Sequence, residues 1–263
     1  MAGVVVGVSR TDASRPALRW ASAEAAVRGL RLTLVHAWDE PVDLSVRLPP
    51  ESLPDVSAAV TSCAVHGRAA AVLLAAQPDL LVLGAHAGAH HVAPLTRSCL
   101  QHAACPVVVV PDAERPATGR VVVGVSDTRA SRLALRWAAE TVVLRGAELV
   151  VVHAWQLHPT TARDLLLPAG ALPAQQAASL HRLRGWVYAE LGTAVVEMHA
   201  PHGGPLEGLL DHSDDADLIV LGRHTHSGLA KVFHGALSDD LIGLAPCPVA
   251  VIPGPPTPAS APR

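Results

Sequence analysis

Short unbroken runs of apolar residues alternate along this chain with longer stretches in which apolar positions recur at helical spacing. Val4–Val8 is the first such run, with no polar residue to mark a solvated face, as expected of a strand covered on both sides. Thr11, Asp12 and Ser14 follow as capping residues, and Pro16 is tolerable in a first helical turn. Ala17, Leu18, Ala21 and Ala25 then share one helical face, and Gly29 supplies a stop. The alternation continues towards the C-terminus. It predicts a parallel sheet with helices on both faces, joined by right-handed crossovers.

The pattern also repeats. "VVVGVSRTDASRPALRWASAEAAVRGLRLTLVHAW" (Val4 to Trp38) aligns without a gap to "VVVGVSDTRASRLALRWAAETVVLRGAELVVVHAW" (Val121 to Trp155), at an offset of 117. Gly7 thus pairs with Gly124, Trp20 with Trp137 and His36 with His153. Beyond insertions, "AAVTSCAVHGRAAAVLL" from Ala58 matches "AVVEMHAPHGGPLEGLL" from Ala194, and "LLVLGAH" from Leu80 matches "LIVLGRH" from Leu218. "ACPVVVVP" from Ala104 matches "PCPVAVIP" from Pro246. Self-similarity on this scale predicts two homologous domains, residues 1–111 and 120–253, with "DAERPATG" (112–119) as linker. Residues 254–263 have the composition of a disordered tail.

The halves are unequal. Trp38 to Ala58 spans 20 positions against 39 from Trp155 to Ala194, so the second half has room for a helix near Ala171 to Leu191 that the first lacks or abbreviates. Gly84 to Cys105 spans 21 positions against 25 from Gly222 to Cys247, a loss of four residues from the first half's glycine loop.

Composition narrows the function classes. With 263 residues, 50% hydrophobic and 16% charged, the chain can build a sizeable core without disulfides. A net charge of −3 argues against a general nucleic-acid binder. "MAGVVVGVS" lacks the basic start and long apolar core of a signal peptide, and the apolar runs are too short to span a membrane. Cys63, Cys99, Cys105 and Cys247 form no C-x-x-C pair and read as buried thiols of a reducing cytoplasm.

Chemistry concentrates in "LGRHTHSGLAKVFHGALSDD", Leu221 to Asp240. A strand over Asp217–Leu221 runs into Gly222, a loop of small and basic residues follows, and Gly235 is expected to open a helix. Strand, glycine loop and helix N-terminus together make a phosphate cradle. Together with "VVVGVS…ASR.ALRWA…VHAW", "DLIVLG" and "APCPV", this pattern resembles the universal stress protein family in its tandem, two-domain form. The resemblance implies two Rossmann-like α/β domains related to adenine nucleotide α-hydrolases, each a five-stranded parallel sheet of order 3-2-1-4-5, and a cytoplasmic stress response. It also implies ATP binding through G-x2-G-x9-G-[ST] after the fourth strand, with an Asp at the end of the first strand facing the nucleoside.

Laid on the second half, Gly222 takes the first glycine, Thr225 stands in the second and Gly235 takes the third. Ala236 replaces the hydroxyl residue, and Ser238 matches a second hydroxyl that often follows. Ser126 replaces the Asp, with Asp127 one place later. Gly228, Leu237 and the basic Arg223 complete the candidate loop, and Ala154 ends the second strand beside it. In the first half Gly84 remains, but Ala87, Ala93 and Pro94 occupy the motif, and Ser9 replaces the Asp. Pro94 removes a backbone N–H from the phosphate side. Loss of a neutral hydroxyl contact costs about 0.5–1.5 kcal/mol and of a charged acceptor about 1.5–3 kcal/mol. A site of about 1 μM would thereby weaken to tens of micromolar or to millimolar.

Other candidates have simpler readings. His86, His90, His91, His224, His226 and His234 have no partner Cys or carboxylate at ligand spacing, so they read as solvated loop histidines rather than metal ligands. His36 and His153 read as packing residues, Trp20 and Trp137 as the anchors of each first helix, and Asp239 and Asp240 as a solvated helix face. No nucleophile elbow, Cys–His pair or Walker lysine is present, so no catalytic residue is expected.

Two functions stand side by side. One is a stress or signalling module binding adenine nucleotide in the second half. The other is an interaction scaffold that binds none. The apolar last strands, Pro106–Val110 and Pro248–Ile252, need covering. The resemblance implies that they pair antiparallel, making the chain its own pseudo-dimer and leaving a homodimer of whole chains open.

Overall fold

The computed structural model describes residues 3–9, 14–39, 60–85, 92–113, 115–126, 128–154, 171–192, 196–223 and 231–254. The first half runs β1 (Val4–Gly7), α1 (Arg15–Arg28), β2 (Leu32–Trp38), β3 (Val60–His66), α2 (Ala69–Ala75), β4 (Leu80–Gly84), α3 (Pro94–His102) and β5 (Val107–Val110). The second runs β6 (Arg120–Gly124), α4 (Arg129–Arg145), β7 (Glu148–Val152), α5 (Ala171–Leu191) and β8 (Glu197–His199). It continues with α6 (Pro205–Leu210), β9 (Leu218–Gly222), α7 (Lys231–Leu244) and β10 (Val249–Ile252).

The apolar runs become strands because both faces of the sheet are covered. Val4 and Val6 point into one core layer and Val5 into the other, all at most 2% exposed. Burying each such side chain contributes about 1.5–3 kcal/mol. One layer holds α1, α4 and α5, with Ala17, Leu18, Ala134, Leu135, Leu183 and Val187 against the strands. The other holds α2, α3, α6 and α7 through Leu73, Cys99, Leu100, Leu209 and Leu241. Helix α1 ends at Gly29 and α4 at Gly146, with φ of 63° and 62°, the left-handed conformation that glycine adopts without a Cβ penalty.

The sheet has ten strands in the order β3-β2-β1-β4-β5-β10-β9-β6-β7-β8. Each half therefore contributes order 3-2-1-4-5, parallel throughout. The halves join where β5 and β10 pair antiparallel, with Val108 opposite Ala250. The linker is docked rather than draped. The Asp217 carboxylate accepts from the Thr118 backbone N–H at 2.6 Å, the Thr118 hydroxyl at 2.9 Å and the Gly119 N–H at 2.8 Å. Helix α5 spans Ala171–Leu191, as the sequence predicts, whereas the abbreviated counterpart expected in the first half lies outside the described residues, as does the tail beyond Gly254. Among the described residues no helix is long and apolar enough to cross a membrane.

Candidate functional site

In an open parallel sheet a ligand crevice forms at the strand C-termini, where chain connections leave towards opposite faces. In the second half that point lies between β6 and β9, which are adjacent and parallel, with α4 packed on one face and α7 on the other. The first half has the same arrangement at β1 and β4.

The floor of the crevice is a hydroxyl cluster. The Ser126 backbone N–H donates to Ser131 Oγ at 3.0 Å, and the Ser126 hydroxyl lies 3.1 Å from Ser131 Oγ and 3.4 Å from Thr128 Oγ1. Thr128 caps α4, its side chain accepting from the Ser131 N–H at 3.2 Å. The first half reproduces this closure. Ser9 donates its N–H to Ser14 Oγ at 2.8 Å, and the two hydroxyls are 2.8 Å apart. Ser126 and Ser9, expected to stand in for a nucleoside-facing acid, thus tie their strand end to the following helix.

His153 Nδ1 donates to the Val125 carbonyl at 2.9 Å and His36 Nδ1 to the Val8 carbonyl at 3.0 Å, which makes both the packing residues they read as. Ala154, partly exposed next to His153, lies beside α6: a Cβ at Gly208 would come within 3.6 Å of its side chain.

Gly222 ends β9, but its requirement for glycine comes from packing. A Cβ there would lie 2.5 Å from the Ala130 carbonyl carbon and oxygen and 2.9 Å from the Ser131 N. The backbone of β9 thus meets the first turn of α4 directly, so the space reserved by Gly222 is filled by the protein rather than by ribose or phosphate. Arg223 also departs from expectation. Its Nη1 donates to the Leu100 and Ala103 carbonyls, both at 2.8 Å, closing the C-terminus of α3 in the other half. Burial pulls the guanidinium pKa below its usual value, and Nε is buried without a hydrogen-bond partner.

The described part of the helix after the glycine loop spans Lys231–Leu244, so Gly235 and Ala236 lie inside the helix rather than at its first residue. The Gly235 N–H, four residues into the described helix, falls where an intrahelical bond is made. Sequence reasoning read the glycine as a helix start because Gly235 keeps its place in the motif spacing, although two of the motif's four residues are replaced. Leu237 and Ser238 are half-buried on the same helix. Asp127, Thr225 and Gly228 lie outside the described residues, as do His86, His90, His91, His224 and His226. Among the described residues, no group of three or more His, Cys, Asp or Glu side chains could hold a metal ion.

Sequence reasoning missed Ser131 and Thr128. The signal was available, because Ser14 and Ser131 occupy the same position of the repeat. It also missed a cleft of about 500 Å³ lined by Thr128, Arg129, Arg132, Leu133, Arg136 and Glu190. There the nearly buried Glu190 carboxylate takes Arg132 Nη1 at 3.2 Å and Arg136 Nη2 at 2.8 Å. Asp239, read as solvated, instead accepts from Arg97 Nε of α3 at 2.9 Å. The four cysteines are free. Burial raises Cys99 and Cys105 to about 11 and Cys247 to about 12, which leaves these thiols protonated at neutral pH.

Two doubly wound α/β units sharing one sheet across an antiparallel seam define the class: a tandem α/β protein of the Rossmann-like type. The model of the universal stress protein family matches residues 2–72 and 118–253, and the chain belongs to that family. The universal stress protein Rv2623 of Mycobacterium tuberculosis is 30% identical over 285 residues, covering 95% of both chains. A second M. tuberculosis relative, universal stress protein Rv2005c, is 29% identical over 294 residues, covering 95% of this chain and 96% of its own. Among solved structures, a universal stress protein from Archaeoglobus fulgidus superposes with a TM-score of 0.69 at 16% identity, covering 95% of this chain and 98% of the other. That likeness concerns the fold.

Proposed function

We propose that this chain is a non-enzymatic cytoplasmic stress-response module that holds one adenine nucleotide, ATP or a relative, in the crevice of its second half. The observation that carries the reading is the difference between the helices that close the two crevices. The described part of helix α7 spans the 14 residues Lys231–Leu244, whereas α3 has 9 and starts at Pro94, the repeat equivalent of Ala236. The second half's helix therefore reaches more than a turn further towards the strand ends and keeps its first N–H groups for phosphate. The first half opens the same helix with a residue that has no N–H.

The phosphate end of this site is the start of α7, and Arg223 is not one of its ligands. The nucleoside end has lost its acid to the Ser126–Ser131 cluster. Both changes favour weak binding, tens of micromolar to millimolar by the arithmetic above, suited to a protein that responds to abundant nucleotide.

Isothermal calorimetry with ATP against the full chain tests this. The expected result is one site per chain in that range. Two equal sites would overturn the asymmetry between the halves. An absence of heat and of thermal shift at millimolar ATP would favour the second reading, a scaffold that works through its surfaces alone. That reading has its own support, since Gly222, Arg223 and Ser126 all have packing roles.

A further inference from the structure

The seam between the halves is a pseudo-twofold axis on which repeat-equivalent residues meet one another. Val108 and Ala250 are equivalent in the repeat that aligns Cys105 with Cys247, and they face each other directly across β5 and β10. Arg97 and Asp239 are equivalent in the same alignment, and they too meet, Nε to Oδ2 at 2.9 Å, between α3 and α7. On the opposite face of the sheet, the repeat equivalent of Glu24 is Thr141 and that of Arg28 is Arg145. Glu24, 2% exposed, accepts from Arg28 Nε at 2.6 Å and from Arg145 Nη2 at 2.6 Å. Arg28 also donates to the fully buried Thr141 hydroxyl at 2.7 Å. The guanidiniums then stack crosswise, Arg28 on Trp137 at 4.7 Å and Arg145 on Trp20 at 5.1 Å.

A symmetric pairing of two identical halves would bring each axial residue against its own copy. Two first halves would set Arg97 against Arg97 and Val108 against Val108, and would put a second Glu24 where Arg28 now reaches the Thr141 hydroxyl. Two second halves would set Asp239 against Asp239, leave a gap between two alanines at position 250, and bury two Arg145 side chains with no carboxylate at all. The Arg223 cap on α3 would also be lost between two first halves, because its equivalent there is Ala85. At each of these points the observed pairing is complementary: opposite charges, large against small, one carboxylate between two guanidiniums.

We infer that the two halves have diverged into a matched, non-interchangeable pair, so that the β5 face takes the β10 face of a second half as its partner and rejects another first half. Repulsion and unfilled volume built against the wrong partner are how related interfaces discriminate. Whole-chain self-association, where it occurs, uses a different surface.

Two sets of full-length variants test this. Val108→Cys places a thiol on the axis, where pairing of like halves would bring it against its own copy in a second chain. Under mild oxidation it should give no covalent dimer beyond that of the unsubstituted protein. Val108→Cys/Ala250→Cys should close a link within one chain, visible as faster migration on a non-reducing gel. Covalent dimers from Val108→Cys alone would overturn the inference. In the second set, Arg97→Asp and Asp239→Arg should each lower the thermal midpoint by about 2–4 °C, and the double exchange should restore it. Losses that simply add in the double variant would mean that the pair is not read across the seam, which would also overturn the inference.

Discussion

The two crevices at the strand ends share a floor and differ in their rims. Below, the serine pairs Ser9–Ser14 and Ser126–Ser131 close the first-strand loops in the same way, and His36 and His153 brace the second strands with the same bond. Above, Gly84 is followed by Ala85 and a nine-residue helix, while Gly222 is followed by Arg223 and a fourteen-residue one. Duplicated positions have stayed alike where they satisfy backbone groups within their own half. They have diverged around the rim of the crevice and at selected points facing the other half, Arg97/Asp239, Val108/Ala250 and Glu24/Thr141, while Arg28/Arg145 and Trp20/Trp137 are kept.

The comparison breaks most visibly at Gly222. Gly222→Ala would push a methyl group to 2.5 Å from the Ala130 backbone, which cannot move aside as a side chain would. A loss of about 3 kcal/mol in chemical denaturation is expected, in the upper range for overpacking. If Gly222 were reserved for a ligand, Gly222→Ala would instead leave stability unchanged and abolish only nucleotide binding. A smaller loss, about 1–3 kcal/mol, is expected for Arg223→Met, because the Leu100 and Ala103 carbonyls lose their charged donor. Hydrogen exchange should localise the loosening to α3, in the half that does not contain the substitution. ATP affinity should not change.

A third difference between the halves is one of pH. In the second half, His199 and His212 pack at a 45° tilt with ring centres 4.5 Å apart, where the first half has Cys63 in place of His199. Burial, with His199 and Arg120 nearby, holds His212 below the usual histidine value, against the smaller pull of Glu197 and Asp211. Glu197 bonds His199 Nε2 at 2.6 Å and also takes Arg120, so its charge is already shared. A histidine lowered in the folded state favours folding above its unfolded value, near 6.5, and that contribution disappears as pH falls through the folded value. Stability of the second half should therefore decline below about pH 6.5, and His212→Gln should flatten the decline. An identical acid profile for the variant would remove His212 from the explanation.

The strands and helices were legible in the sequence because each rests on an apolar pattern that occurs twice, whereas the strand order and the antiparallel seam followed from the family resemblance. The run of strand, glycine loop and helix, with the family motif laid on it, pointed to the crevice. What it could not convey was the use of individual side chains there. Arg223 looks like a phosphate ligand because it is basic and follows Gly222, yet the carbonyls it caps lie more than a hundred residues away in the chain. Gly222 looks like a ligand glycine because nothing in one dimension reveals how closely α4 approaches. The start of α7 was misplaced because a motif with two of its four positions replaced no longer fixes where the helix begins. Asp239 was misread because its partner is its own counterpart, a pairing visible only once the halves are brought together.

The seam also imposes an order in time. Val107–Val110 is a row of four valines, at most 5% exposed in the finished protein, and its partner strand is made about 140 residues later. At ordinary synthesis rates the first half therefore waits on the order of 10 s with an open, wholly apolar strand edge. Such an edge is a template for the wrong neighbour. The ribosome-bound intermediate, rather than the completed chain, is accordingly the species most exposed to aggregation and most in need of a chaperone.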